Sequence, residues 1–296
     1  MNNQNPEKTE MPDTSISIVI PAKNEGQNLE ALLPEIVKQY PQAEIIVVND
    51  GSTDNTLEIC QRMNVEVVTH GYSKGNGASI KSGARAASGD ILVFMDGDGQ
   101  HQPADIDRLL NKLGEGTDMV VGARDRSSQA SFGRLIANSL YNKLSSWISG
   151  HPVEDLTSGF RAVYRDKFRK FIYLLPNGFS YPTTITMAFF RAGYSVEYIP
   201  ITALARGGKS HISIVKDGLR FLIIIFKIGT LYSPLKIFVP TAMAFFMTGL
   251  GYYLYTFITR HSFSNMSAVL FITAIIVFLI GLVSEQITTL TYKDSD

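Results

Sequence analysis

Between Ser15 and Gly122, five short β-branched runs alternate with four longer stretches whose apolar residues recur at helical spacing. The runs are Ser17–Ile20, Glu44–Val48, Val65–Thr69, Ile91–Met95 and Met119–Gly122. Between them lie Asn28–Tyr40, Asp54–Arg62, Ala78–Ala87 and Pro103–Leu113; in the first of these Leu29, Leu32, Leu33, Ile36 and Val37 share one face. Such alternation closes into a mainly parallel sheet covered by helices on both sides. Ligands of these sheets bind beyond the carboxyl ends of the strands, so the residues just after each strand are where chemistry is expected.

Beyond Gly122 the pattern loosens. Phe132–Ser149 and Tyr181–Ala192 read as helices, Gly159–Tyr164 and Tyr194–Ile201 as strands. Ile212–Ile228 is amphipathic, with Lys216, Asp217, Arg220 and Lys227 among Ile214, Leu219, Phe221, Leu222 and Ile225. A helix of this kind lies in a headgroup layer or packs on a core, and its place just before an apolar region favours the first. From Leu235 to Leu290 the chain is almost entirely apolar. Ile237–Thr259 is long enough to cross a hydrocarbon core of about 30 Å; Ala268–Val283 reaches that length by including Ser284 to Gln286. A buried hairpin of a soluble protein is the alternative. Tyr252, Tyr253 and Tyr255 suit an interfacial belt, and Lys216, Arg220, Lys227 and Lys236 before the first span outnumber Arg260 after it. The positive-inside rule then places the large domain and the C-terminus in the cytoplasm.

The expected organisation is therefore a disordered polar tail over 1–14, a catalytic domain over 15–211, a juxtamembrane segment over 212–233, two transmembrane helices over 234–290 and a cytoplasmic tail over 291–296. The tail lacks the apolar core of a signal peptide. Cys60 is the only cysteine, which rules out an intramolecular disulfide and a cysteine cluster for zinc. The 27 basic and 27 acidic residues balance, which argues against nucleic acid as a partner.

The strongest chemical signal is Phe94-Met95-Asp96-Gly97-Asp98-Gly99-Gln100-His101. Two carboxylates emerge one residue apart at a strand end, and the flanking glycines let the backbone turn toward a ligand. Carboxylate oxygens suit Mg²⁺ or Mn²⁺, which also coordinate substrate phosphates. A solvated acidic turn is the plain alternative. A calcium loop starts similarly, but the Glu expected near its end is missing and Asp107 substitutes poorly. Two more polar clusters follow strands: Pro21-Ala22-Lys23-Asn24-Glu25 and Asn49-Asp50-Gly51-Ser52-Thr53-Asp54, although the second also reads as a turn and helix cap. Gly75-Asn76-Gly77-Ala78-Ser79-Ile80 resembles a degenerate dinucleotide fingerprint, but Ile80 replaces the third glycine and the motif follows the third strand rather than the first.

Together with Lys74–Gly77, Ser88-Gly89-Asp90 and Thr157-Ser158-Gly159-Phe160-Arg161, these segments occur in one order over residues 15 to 230. In that order the chain resembles a family 2 glycosyltransferase of the GT-A fold, in the subgroup of polyprenyl- or dolichol-phosphate sugar synthases. The resemblance implies a metal held by Asp96, Asp98 and Gln100, with Mg²⁺ or Mn²⁺ as cofactor. It implies a nucleotide-sugar site at Pro21, Ala22, Asn24, Glu25, Asp50, Gly51, Lys74, Asp96 and Gly97. Arg124, Arg134 and Arg206 would face phosphates, with Asn138 and Lys209 joining Arg134 and Arg206 around the acceptor phosphate. Asp155 falls where some members have a proposed base. Arg206-Gly207-Gly208-Lys209-Ser210-His211 matches the family's closing R-x-G-x-S-K segment, except that His211 stands in place of lysine.

The implied reaction is an inverting, metal-dependent transfer of a hexosyl group from a GDP- or UDP-linked sugar to a polyprenyl phosphate in the membrane. Its product would serve cell-envelope glycan synthesis or the glycosylation of protein or lipid. The acceptor phosphate is ionised near pH 7, so cation clamps and positioning matter more than a strong base. A homo-oligomer is also allowed. Transfer to a glycolipid or polysaccharide hydroxyl is an alternative, but the Q-x-x-R-W segment of polysaccharide synthases is absent: Trp147, the only tryptophan, follows Leu144-Ser145-Ser146. A non-enzymatic nucleotide-sugar sensor is a second alternative, which the intact acidic turn disfavours.

Overall fold

The computed structural model describes residues 14–124, 132–178, 180–202, 226 and 229–293, with no side chains described over 132–138. These residues fall into two compact units. One spans residues up to Lys143 and from Pro152 to His211; the other joins Leu144–His151 with the chain after Ile212.

The first unit is built on seven strands: β1 (Ile16–Ala22), β2 (Glu44–Asn49), β3 (Glu66–Thr69), β4 (Ile91–Phe94), β5 (Met119–Arg124), β6 (Arg161–Tyr164) and β7 (Val196–Ile201). They are ordered β3-β2-β1-β4-β6-β5-β7 in one sheet. All neighbours run parallel except β6, which is antiparallel to both β4 and β5. Strands β1, β2 and β4 bury both faces, as sequences such as Ile-Ile-Val-Val require when helices cover a sheet on two sides.

The helices that follow are α1 (Gly26–Gln39), α2 (Thr56–Arg62), α3 (Asn76–Ala86), α4 (Asp105–Gly114), α5 (Phe132–Ser149), α6 (Arg165–Arg169) and α7 (Tyr181–Arg191). Leu29, Leu32, Leu33 and Ile36 of α1 are buried against the core that includes Ile18, Ile20 and Val93. Val37, expected on the same stripe, lies at its edge and is exposed. Helix α1 starts two residues earlier than its periodicity indicates, because the Asp54 carboxylate accepts the Gly26 N–H at 3.1 Å. An orphan helix donor is thus satisfied from a distant loop.

Register decides where the functional loops meet. Ala22 pairs with Asn49, so β1 and β2 end together, and Val19 pairs with Phe94, so the turn after β4 runs on beside the last residues of β1. Antiparallel β6 pairs Arg161 with Phe94, which brings the segment before β6 to the same edge. An antiparallel strand begins where its parallel neighbours end.

The second unit contains α8 (Pro234–Arg260) and α9 (Asn265–Tyr292), a hairpin closed by His261 in the left-handed conformation and by Ser264, whose hydroxyl accepts the Met266 N–H. Both helices are long and apolar enough to cross a membrane. Their shared seam is made of small residues seven apart: Ala242, Gly249 and Thr256 on α8, and Ser267, Ala274, Gly281 and Thr288 on α9, all buried. Small side chains let two apolar helices approach without a hydrophobic driving force between them. Met243, Ile258, Ile275 and Val283 are exposed, the reverse of a soluble core hairpin. Helix α9 runs on to Tyr292, beyond the expected end of the span, with the Thr288 hydroxyl bonding Ser284 O and Thr230 O. At the start of α8, Lys236 Nζ donates to the Trp147 and Ile148 carbonyls at 3.2 and 2.9 Å, satisfying groups left unpaired at the end of α5.

The seam makes a prediction. A Cβ at Gly281 would lie 2.6 Å from Phe238 Cβ. Gly281→Leu is expected to cost about 1–3 kcal/mol through overpacking, read as a lower unfolding temperature in detergent. Unchanged melting would mean that the helices do not pack through this seam.

The amphipathic stretch Ile212–Ile228, apart from Phe226, lies outside the described residues, as do residues 1–13 and 294–296.

Candidate active site

The ends of β1, β2 and β4 and the start of β6 surround a cavity of about 440 Å³, within the range usual for small-molecule sites. From β1 come Pro21, Ala22 and Glu25, together with Lys23. Asp50 comes from β2, and Asp96, Gly97, Asp98 and Gln100 from the turn after β4. Eight residues expected from the sequence therefore share one hollow.

The acidic turn is shaped by Gly99, whose φ of 72° is a left-handed conformation that glycine adopts without strain. Asp98 Oδ1 accepts the Gln100 N–H at 3.2 Å. Asp96 lies against His101 of its own turn and against Gly159 from the segment before β6. His101 Nε2 is 3.6 Å from its Oδ2, and the His101 ring stacks on Phe160 at 4.9 Å. Gly159 packs so closely that a Cβ there would sit 2.9 Å from Asp96 Oδ2. The Tyr181 hydroxyl donates to the Gly159 carbonyl at 3.2 Å, and Thr157, Gly159, Tyr181 and Pro182 complete this wall. Arg161, fully buried, ties the wall together by donating to the Pro182 carbonyl at 3.2 Å and to Ser158 O.

The donor set suits a hard divalent cation: two partly exposed carboxylates and one amide oxygen open to the same cavity. Among the described residues no group of three or more His, Cys, Asp or Glu could hold a metal by itself. An ion here would complete its shell with water and substrate phosphate, the habit of Mg²⁺.

Asp50 is buried and heavily bonded. Its Oδ1 accepts from His70 Nδ1 and the Lys74 N–H, both at 2.7 Å; its Oδ2 accepts from Ser73 Oγ at 2.8 Å and the Gly75 N–H at 2.9 Å. Burial works against its charge, but these donors outweigh it and hold the carboxyl at about 2. Lys74 thus serves through its backbone, while its ammonium lies 5.8 Å over the Tyr72 ring. Asn24 faces the neighbouring loop rather than the hollow, accepting the Thr53 N–H at 2.8 Å and donating its own N–H to Ser52 Oγ. Gly51 turns the chain beside Ser73 with φ 66°.

Arg124 and Asp155, expected as separate groups, bind each other. Arg124 Nε and Nη2 donate to the two carboxylate oxygens at 2.8 and 3.1 Å, and the Thr157 N–H adds a bond at 3.0 Å. Burial opposes the Asp155 charge, yet the Arg124 pair and the Thr157 N–H hold its carboxyl below the usual range. The Arg134 and Asn138 side chains, and all of Arg206 and Lys209, lie outside the described residues.

The dinucleotide reading of Gly75–Ile80 finds no support. Helix α3 does open there, but the Asn177 carbonyl accepts the Ala78 N–H at 3.1 Å, where that reading would place a pyrophosphate.

Residues 17–172 match the model of the family described as Glycosyl transferase family 2. The chain belongs to that family. It is a glycosyltransferase with a GT-A-like fold. Residues 233–290 match a second model, the GtrB C-terminal hairpin, and the family enzyme here carries a two-span membrane hairpin. It is 25% identical to glycosyltransferase AglJ of Haloferax volcanii over 93% of this chain and 94% of that one. It is 29% identical to polyprenol monophosphomannose synthase of Mycolicibacterium smegmatis, over 67% of this chain and 80% of the relative. Among solved structures it is similar in fold to glucosyl-3-phosphoglycerate synthase of Mycobacterium tuberculosis in complex with Mn²⁺ and UDP-glucose. There the TM-score is 0.58 at 23% identity, over 73% of this chain and 78% of that one.

Proposed function

We propose that this glycosyltransferase moves a sugar from a GDP- or UDP-linked donor to a polyprenyl phosphate, with inversion at the anomeric carbon. The observation that carries the reading is a hollow of small-molecule size, lined by Asp50, Asp96 and Asp98, on a chain that also carries a two-span hairpin. The mycobacterial relative, named a polyprenol monophosphomannose synthase, supports it.

Asp96, Asp98 and Gln100 would hold Mg²⁺ or Mn²⁺. Bound there, such an ion would supply positive charge for the leaving nucleoside diphosphate. Pro21, Ala22, Glu25 and the loop around Asp50 receive the nucleotide; Asn24, Gly51 and the Lys74 backbone keep those loops in place. Arg134, Asn138, Arg206 and Lys209 clamp the acceptor phosphate, for which arginine's fork offers two parallel bonds. The phosphate arrives ionised, so the residues supply position and counter-charge rather than a strong base.

The test compares a short polyprenyl phosphate with the matching polyprenol as acceptors. Transfer to the phosphate alone is expected, with Arg206→Ala lowering it far more than Arg206→Lys. Efficient glycosylation of the polyprenol, with Arg206→Ala unimpaired, overturns the lipid-phosphate reading and favours a hydroxyl acceptor.

We infer further that the catalytic unit and the C-terminus face the cytoplasm, since two spans return the chain to its starting side and Lys216, Arg220, Lys227 and Lys236 in the sequence on that side outnumber Arg260 between the spans. In a Cys60→Ala background, a membrane-impermeant thiol reagent applied outside should label a cysteine at position 264 and not one at 296. Labelling at 296 alone refutes this orientation.

A further inference from the structure

At the end of β3 the chain turns through His70, which is buried and has both ring nitrogens engaged. Nδ1 lies 2.7 Å from Asp50 Oδ1 and Nε2 lies 2.9 Å from Ser82 Oγ. A carboxylate only accepts, so Nδ1 carries its proton toward Asp50; in the neutral ring Nε2 then accepts the Ser82 hydroxyl proton. The His70 N–H also donates to the Asn49 carbonyl at 2.9 Å, fixing the residue to the end of β2. A bonded chain thus runs from Ser82 on α3, through His70, to Asp50 after β2.

The order Ser–His–Asp is that of a hydrolase triad, but neither Ser82 nor His70 lines the cavity. The array works as a clamp. Ser73 Oγ, the Lys74 N–H and the Gly75 N–H converge on the same carboxylate, so the loop from His70 to Gly75 folds around Asp50. Ser73, Gly75 and Asn76 then present that loop to the hollow.

We propose that His70 is a positioning residue for the donor's nucleoside: held between Ser82 and Asp50, it keeps the His70–Gly75 loop in the shape that receives it. The proposal rests on the nucleotide-sugar reading above. Removing His70 takes one donor from a buried carboxylate and the acceptor from Ser82, and each such loss loosens the loop.

The experiment measures binding of UDP, GDP and inorganic pyrophosphate in Mn²⁺ by calorimetry, beside donor KM, kcat and melting temperature. His70→Ala is expected to weaken the nucleotide that wild type binds by about tenfold, the effect of one unsatisfied buried partner. Pyrophosphate, which has no nucleoside, should bind as to wild type. Donor KM should rise with kcat nearly unchanged. His70→Asn, whose amide can still donate to Asp50, should recover part of the loss, and Ser82→Ala should show a smaller loss of the same kind. These two variants carry the test if His70→Ala does not fold. Wild-type nucleotide affinity in the variants, or equal weakening of nucleotide and pyrophosphate, overturns the proposal. Wild type binding neither UDP nor GDP would instead overturn the donor reading on which it rests.

Discussion

Asp98→Ala is expected to abolish sugar transfer while leaving the protein folded. The Asp98 side chain is partly exposed, lines the cavity and accepts the Gln100 N–H. Losing that turn bond costs about 1 kcal/mol, too little to unfold a domain. The chemical loss is far larger. A sugar diphosphate brings several negative charges into a hollow that already holds Asp96 and Asp98. Without a cation the like charges repel, and the leaving group departs with its charge uncompensated. Removing a group that stabilises charge in a transition state lowers turnover by about a hundred- to a thousandfold, and loss of a metal ligand should reach the upper end. The measurements are transfer rate, Mn²⁺-dependent nucleotide affinity and melting temperature. Full activity of the variant, or wild-type activity in excess EDTA, contradicts a metal at this turn.

Much of the fold is legible because β1, β2 and β4 are short, β-branched and buried on both faces, which leaves little besides a helix-covered parallel sheet. The cavity residues on β1, β2 and β4 follow from one rule, that ligands sit at the carboxyl ends of strands. That rule fails at β6. Thr157 and Gly159 precede their strand and reach the cavity only because β6 runs antiparallel beside β4, and pairing direction is not written in a four-residue run. Tyr181 and Pro182 open a helix that is buried along most of its length, so they read as core. His70 is a lone histidine at a strand end, and its partners are 12 and 20 residues away. Its role depends on tertiary placement of Ser82, which no local pattern announces. The start of α8 is set locally instead: Pro234 opens the helix just before the apolar run from Ile237, where proline's missing N–H costs nothing.

Asp155 provides the second large effect, and its two roles can be separated. Its carboxylate is buried and held by both Arg124 donors and by Thr157. Removing Arg124 strands the buried Asp155 charge, at a cost of up to about 3–5 kcal/mol; removing Asp155 costs less, because Arg124 is partly exposed. Arg124→Ala and Asp155→Asn are therefore both expected to lower the melting temperature. A double variant that removes both charges should melt above the sum of the two losses, because neither charge is then left alone. The lowered carboxyl value fixes the pH signature. Asp155 contributes its stability above the ordinary carboxylate range and loses it as pH falls through the depressed value. The stability gap between wild type and Asp155→Asn should narrow in acid. A carboxyl held this low is also a weak proton acceptor near neutrality, so ionised acceptor phosphate should still react in the folded fraction of Asp155→Asn. Were Asp155 the base for a hydroxyl acceptor, kcat would be lost in the folded fraction as well, and a pH–rate limb would disappear with the carboxylate.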